Sequence, residues 1–166
     1  MARALIVGCG CHATRLGVAL AEDGWAVRGT SRTRRGVERI SSAGLEGALA
    51  DPDRVGTVLE HVGDVAVVVW ALGEASGPSA SDVNGHRLER MLERLVDTPV
   101  RGFVFEGPRE NPEGFEDELA ATDIVAAANE TWHIPVRIVG ARRDHAEDWL
   151  EAMWTAVGDL IEPAAA

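Results

Sequence analysis

The run Gly8-Cys9-Gly10-Cys11-His12-Ala13 places two thiols and an imidazole inside a glycine-rich turn. Three chemistries suit such a turn: metal ligation, thiol redox chemistry, or the holding of an anion by backbone N–H groups. Neighbouring positions in one turn cannot easily supply three tetrahedral zinc ligands, and no second Cys or His cluster completes a set, so no metal is expected. Cys9 and Cys11 are the only cysteines, and with one residue between them they are poorly placed for a structural disulfide. A thiol beside a helix N-terminus can have a lowered pKa, which leaves a redox role open; small side chains filling a tight turn is the simpler reading.

The surroundings favour the anion. The turn follows the apolar "ALIV" and precedes the helix-forming "ATRLGVALAEDG", so G-x-G-x-x-A falls between a strand and a helix, as a dinucleotide-binding turn requires. Gly8 permits the sharp turn and Gly10 lets the backbone approach a pyrophosphate. Small Ala13 lets the helix pack closely on the strand. The amides of Cys11, His12 and Ala13 then point the positive end of the helix dipole at the phosphates.

An acidic residue about 20 positions further on would hold the ribose 2′-hydroxyl of NAD. The second strand instead ends "VRGTSRTRRG", with no carboxylate from Arg28 through Gly36. Thr30, Ser31, Arg32, Arg34 and Arg35 bring hydroxyls and guanidinium groups to that edge. These suit a 2′-phosphate, so NADP(H) is expected in preference to NAD(H). Arginines at a helix start are electrostatically unfavourable there, which supports a functional reason for them.

Short β-branched runs alternate with segments of helical period along the chain, the pattern of an α/β fold with a doubly wound parallel sheet. Strands are expected at Ala4–Val7, Trp25–Thr30, Glu46–Ala50, Asp64–Trp70, Val100–Phe105 and Pro135–Val139. Helices are expected over 12–23, 33–43, 53–62, 82–97, 116–130 and 144–161. In the fourth helix Leu88, Met91, Leu92, Leu95 and Val96 form one apolar stripe. In the last, Trp149, Leu150, Met153, Trp154, Val157, Leu160 and Ile161 make a wide apolar face, suited to core packing or a subunit interface. The expected organisation is one domain over residues 1–166.

The formal charge is -11, from 16 basic and 27 acidic residues, which argues against a nucleic-acid or anionic-membrane surface. No apolar run approaches the roughly 20 residues needed to span a bilayer, and the opening segment is too quickly glycine-rich for a secretory signal. A soluble, cytoplasmic protein is expected. The chain has no tyrosine, and all of its basic residues other than histidine are arginines.

The order of these segments resembles the extended and atypical short-chain dehydrogenases/reductases, NAD(P)-binding Rossmann proteins, especially their small epimerase-like and NmrA-like members. "VGCGCHATRLGVALAEDGWAVRGTSR", "ALADPDR", "VVVWALG", "DVNGHRLERMLERL" and "VRGFVFEGP" carry the resemblance. It implies that Asp51 touches the adenine and that Ala71, Leu72 and Gly73 lie along the ribose and nicotinamide. It also implies a homodimer through helices 82–97 and 116–130. The family's oxidoreductases use a serine near the end of the fifth strand and a Tyr-x-x-x-Lys pair on the next helix. Here Glu106 and Gly107 stand at the first place, while Phe115 and Leu119 fall nearest the other two. Phenylalanine and leucine can neither transfer the substrate proton nor lower a partner's pKa. Extended members also carry a substrate lobe beyond the sixth strand, where this chain runs into a single helix.

Groups at the carboxyl ends of the strands must supply any remaining chemistry. Glu106, at the end of a buried strand, and His86, near the start of the long helix, are the catalytic candidates. Arg109, Arg142, Arg143 and His145 stand nearby in sequence and can bind an acidic ligand or pair with the surplus carboxylates. The leading expectation is a catalytically degenerate NADP(H)-binding protein that acts as a redox sensor or regulatory partner. Two others stay open: an NADPH-dependent reductase or epimerase-like enzyme with unusual proton-transfer groups, acting on a small molecule, and an interaction module that has lost the cofactor.

Overall fold

The computed structural model describes residues 2–73, 83–107 and 115–161, the side chains of 115–120 excepted. Six strands, β1 (Arg3–Val7), β2 (Ala26–Ser31), β3 (Glu46–Leu49), β4 (Val67–Trp70), β5 (Gly102–Glu106) and β6 (Val136–Val139), form one sheet. Every pairing is parallel and the order is β3-β2-β1-β4-β5-β6. The chain starts at the centre, builds outward to β3, then crosses back to β4. A crevice therefore opens at the carboxyl ends of β1 and β4, where their connections leave in opposite directions.

Helices α1 (Cys11–Glu22), α2 (Arg34–Ser42), α3 (Val55–Leu59), α4 (His86–Leu95), α5 (Phe115–Trp132) and α6 (Ala146–Ile161) cover both faces. Strand alternation divides the core. Ala4, Ile6, Val67, Val69 and Val104 face Leu16 and Leu20 of α1, Ile40 of α2, and Trp149, Met153 and Val157 of α6. Leu5, Val7, Val68, Trp70, Phe103 and Phe105 face Val58 of α3, the Leu88-Met91-Leu92-Leu95 stripe of α4, and Val125 of α5. A strand buried on both faces needs apolar side chains at every position, which the Val67–Trp70 run supplies.

Several elements are shorter than the sequence pattern suggests. The fourth strand begins at Val67 because the backbone still turns at Gly63 and Asp64, with the Val65 N–H donating to the Val62 carbonyl (3.1 Å), and the Asp64 side chain joins an ion-pair network at the sheet's amino edge. Arg28 donates to Asp64 (2.8 Å) and to Glu46 (2.9 Å), and this bond from Arg28 holds the Asp64 carboxyl below the usual range. Gly56 and β-branched neighbours limit α3 to Val55–Leu59 instead of 53–62. The helix expected over 82–97 forms as His86–Leu95 with Gly85 as its N-cap; residue 82 lies outside the described residues. Val96 and Trp154, expected on apolar faces, are exposed by 44% and 41%.

The pairing of α2 with β3 leaves no room at Gly47. A Cβ there would stand 2.6 Å from the Val37 carbonyl oxygen, which is backbone and cannot rotate away. Gly47→Ala should lower stability by about 2 kcal/mol through overpacking, seen as an earlier midpoint in urea unfolding.

Candidate functional site

Gly8 leaves β1 at φ +82, and a Cβ on it would lie 2.5 Å from Leu72 Cδ2 and 2.7 Å from the Ala71 carbonyl oxygen. Both backbone conformation and space therefore demand glycine. The Gly8 N–H donates to Thr30 Oγ1 (3.4 Å) and the Cys9 N–H to the Thr30 carbonyl (2.9 Å), tying the turn to β2. Gly10 is the N-cap of α1 and supplies no side-chain cap, and no acidic residue stands in the first turn. A Cβ on Gly10 would meet nothing within 4 Å. The uncapped amides of Cys11, His12 and Ala13 thus open onto free space, an arrangement that fits a phosphate group.

The three side chains that first suggest metal or redox chemistry have separate surroundings. Cys9 is buried, with Sγ 3.6 Å from Thr14 Oγ1, and burial pushes its thiol up despite the opposing influence of Thr14 and Arg39. Cys11 is exposed. His12 meets the ring of Trp149 edge-on, 6.1 Å between centroids.

At the end of β2, Thr30 is buried and its hydroxyl accepts from the turn, so it shapes the loop and is not presented at the surface. Alternation along β2 does not account for this burial, since Thr30 shares a strand face with half-buried Ala26 and Arg28; the turn after β1 engages its hydroxyl. Ser31 accepts from the Thr33 N–H (3.3 Å) and lies under Gly36. Thr33 caps α2 through the Gly36 N–H (3.1 Å). Arg32, Arg34 and Arg35 are exposed, and among the described residues none has a carboxylate partner.

After β3, Asp51 Oδ1 accepts from the Asp53 N–H (3.0 Å), and Thr57 Oγ1 bonds both the N–H and the carbonyl of Asp51. After β4, each of the next three residues is held. The Ala71 carbonyl accepts from Arg143 (3.1 Å), the Leu72 carbonyl from Asn84 (3.1 Å), and the Gly73 N–H donates to Glu106 (2.8 Å).

Glu106 ends β5 as a buried carboxylate. Its Oε1 accepts from the Gly73 N–H (2.8 Å) and Arg143 Nη2 (2.8 Å); its Oε2 accepts from Arg143 Nε (2.8 Å) and Trp149 Nε1 (2.5 Å). Two oxygens offer about four lone-pair sites, and four donors fill them, so none remains for a substrate proton. The Arg143 guanidinium also stands 5.1 Å over the Trp149 ring, a cation–π contact. The sequence pattern offered Arg143 to an acidic ligand or a carboxylate partner, and placed Trp149 on an apolar face for core packing or a subunit interface, with no sign of its bond to Glu106.

The other candidates lie apart from this cluster. His86 is exposed and lines a groove between α3 and α4. Arg142 pairs with Asp144 (3.3 Å), and His145 is exposed. Arg109 lies outside the described residues, as do the side chains of Phe115 and Leu119.

No protein-family model matches the chain, and no curated protein matches its sequence. Solved structures do resemble it. A Corynebacterium glutamicum protein assigned to the short-chain dehydrogenases/reductases superposes with a TM-score of 0.71 at 16% identity, over 94% of this chain and 91% of that one. UDP-glucuronic acid 4-epimerase from Bacillus cereus, solved with NAD, gives 0.61 at 15% identity, covering 82% of this chain and 55% of its own. Yeast methylglyoxal/isovaleraldehyde reductase, solved with NADPH, gives 0.59 at 13% identity over 83% and 53%. The chain spans about half the length of the epimerase and of the reductase. The fold is thus the Rossmann fold that NAD(P)-dependent epimerases and reductases share.

Arg143→Met would leave the Glu106 carboxylate buried without its cation. Thermal and urea unfolding should show a loss on the order of 3 kcal/mol, the cost of breaking a buried pair from one side.

Proposed function

We propose that the chain binds a nicotinamide dinucleotide, NADP(H) in preference to NAD(H), and serves as a sensor of cofactor state or a regulatory partner, with no turnover of its own. The saturated carboxylate of Glu106 carries this reading. It stands where the resemblance would place the family's serine, in a chain with neither the tyrosine that would transfer a proton nor the lysine that would tune it.

Gly8, Gly10 and the amides of Cys11, His12 and Ala13 would hold the pyrophosphate. Arg32, Arg34 and Arg35 would take the 2′-phosphate, with Ser31 and Thr30 fixing the backbone beneath it. Asp51 would border the adenine, and Ala71, Leu72 and Gly73 the ribose and nicotinamide. The bound cofactor would supply hydride chemistry. Glu106 is a positioning residue in this scheme, since its bond to Gly73 sets the β4 loop along which the nicotinamide would lie.

Nicotinamide fluorescence on titration with NADPH tests the reading. Binding in the micromolar range is expected, and Arg34→Gln/Arg35→Gln should weaken NADPH by about tenfold while leaving NADH little changed. Equal, negligible affinity in both proteins would favour an interaction module. Steady NADPH oxidation with a carbonyl compound would favour a reductase.

We also propose that two copies pair through the outer surfaces of α4 and α5, where Trp132 is 42% exposed beside Ile124 and Ala128. Light scattering should give twice the chain mass, and Trp132→Asp should return it to that of one chain.

A further inference from the structure

A second concentration of arginine lies away from the crevice, on the face of the sheet covered by α3, α4 and α5. An open groove of about 630 Å³ runs between α3 and α4. Arg54 borders it on one side, and Arg87, Arg90 and Arg94, with His86, on the other. Only two carboxylates, Asp53 and Glu60, share this lining. Asp53 is already bound to Arg87 Nε (3.1 Å). Among the described residues no carboxylate lies within ion-pair distance of Arg54, Arg90 or Arg94.

The arrangement runs against what the helix and the whole chain prefer. Arg87, Arg90 and Arg94 are spaced by three and four residues, so they share one helix face, and like charges at that spacing repel. Burial of Leu88, Met91, Leu92 and Leu95 on the adjoining face fixes the helix's rotation, so the arginines stay along the groove. The chain carries a formal charge of -11, yet four guanidinium groups converge here on two carboxylates. Guanidinium groups arrayed around a concave surface match phosphoryl and carboxylate oxygens in geometry as well as charge.

We propose that the α3–α4 groove binds a small polyanion carrying two or more phosphoryl or carboxylate groups. The ligand bridges Arg54 on one side to Arg90 and Arg94 on the other and relieves the repulsion along α4. Its residues are distinct from those assigned above to the dinucleotide. The groove's size suits a small molecule, and the chain's net charge disfavours a nucleic acid.

The test is calorimetric titration of the full chain with inorganic tripolyphosphate at low ionic strength, with and without saturating NADPH, and with orthophosphate as the single-anion comparison. The expected result is one tripolyphosphate per chain with a sub-millimolar dissociation constant, much weaker orthophosphate binding, and tripolyphosphate binding retained in the presence of NADPH. Arg90→Gln/Arg94→Gln should weaken it by about tenfold or more, and Arg54→Gln, from the opposite wall, should weaken it independently. The double variant should melt no lower than the parent, since it removes a like-charge pair. Absence of binding to the parent overturns the proposal, as does unchanged affinity in both groove variants. Loss confined to Arg34→Gln/Arg35→Gln also overturns it, by placing the anion at the turn after β2; that outcome is separate from whether NADPH itself binds.

Discussion

A carboxylate buried at the end of β5 sets the terms for the surrounding loops. Removing the Glu106 charge from water costs several kcal/mol unless a cation and further donors replace the lost hydration. The replacements come from three separate places: the Gly73 N–H after β4, Arg143 in the connection between β6 and α6, and the Trp149 indole inside α6. Each of those segments must stay where it is for the charge to remain satisfied. The cluster also reaches the glycine-rich turn, because His12 packs edge-on against the Trp149 ring that donates to Glu106. The crevice between β1 and β4 is thus bordered on its β5 side by an ion pair whose geometry is fixed before any ligand arrives.

That constraint explains why the fold was readable in the sequence and the site only partly so. The parallel sheet could be inferred because its signals are local: a valine run flanked by glycines, helical stripes such as Leu88-Met91-Leu92-Leu95, and a turn whose glycines precede a helix. The demand on Gly8 is local too, since its positive φ and the approach of Leu72 follow from strand–turn–helix geometry. Glu106 meets Arg143 across 37 residues and Trp149 across 43. No periodicity joins positions so far apart. A carboxylate after an apolar strand can be seen in the sequence, but whether it meets solvent, substrate or guanidinium depends on loops placed by the whole sheet. Thr30 illustrates the same limit across 22 residues, since its hydroxyl is engaged by the Gly8 N–H of the turn after β1.

Two regions of the surface concentrate arginine. Several other guanidinium groups meet carboxylates: Arg3 and Arg28 bridge Glu46 and Asp64, Arg15 meets Glu147, and Arg142 meets Asp144, while Arg39 and Arg137 reach backbone carbonyls. With 27 acidic residues available, pairing is easily achieved. Arg34 and Arg35 stand instead in the first turn of α2, where the helix dipole opposes cations, with no acidic residue in that turn. Arg90 and Arg94 repel each other along α4. A bound anion reverses the sign of both effects, supplying negative charge at the helix start in one case and between like charges in the other. A solvated surface gains nothing from either placement.

The chemistry left to the crevice follows from what its donors and acceptors already do. The amides at the start of α1 are uncapped and free to bind, whereas the groups beside the end of β5 are committed to one another. Binding needs unspent donors, and proton transfer needs a group whose lone pair or proton is free at the moment of reaction. The first condition is met at Gly10 and the following turn. The second is not met at Glu106, where each oxygen accepts two hydrogen bonds. Using that carboxylate as a base would require breaking a bond to Arg143, Trp149 or Gly73 within a buried site, and those bonds are what make its burial tolerable. The turn and this cluster are joined by one edge-on contact, that of His12 with the Trp149 ring.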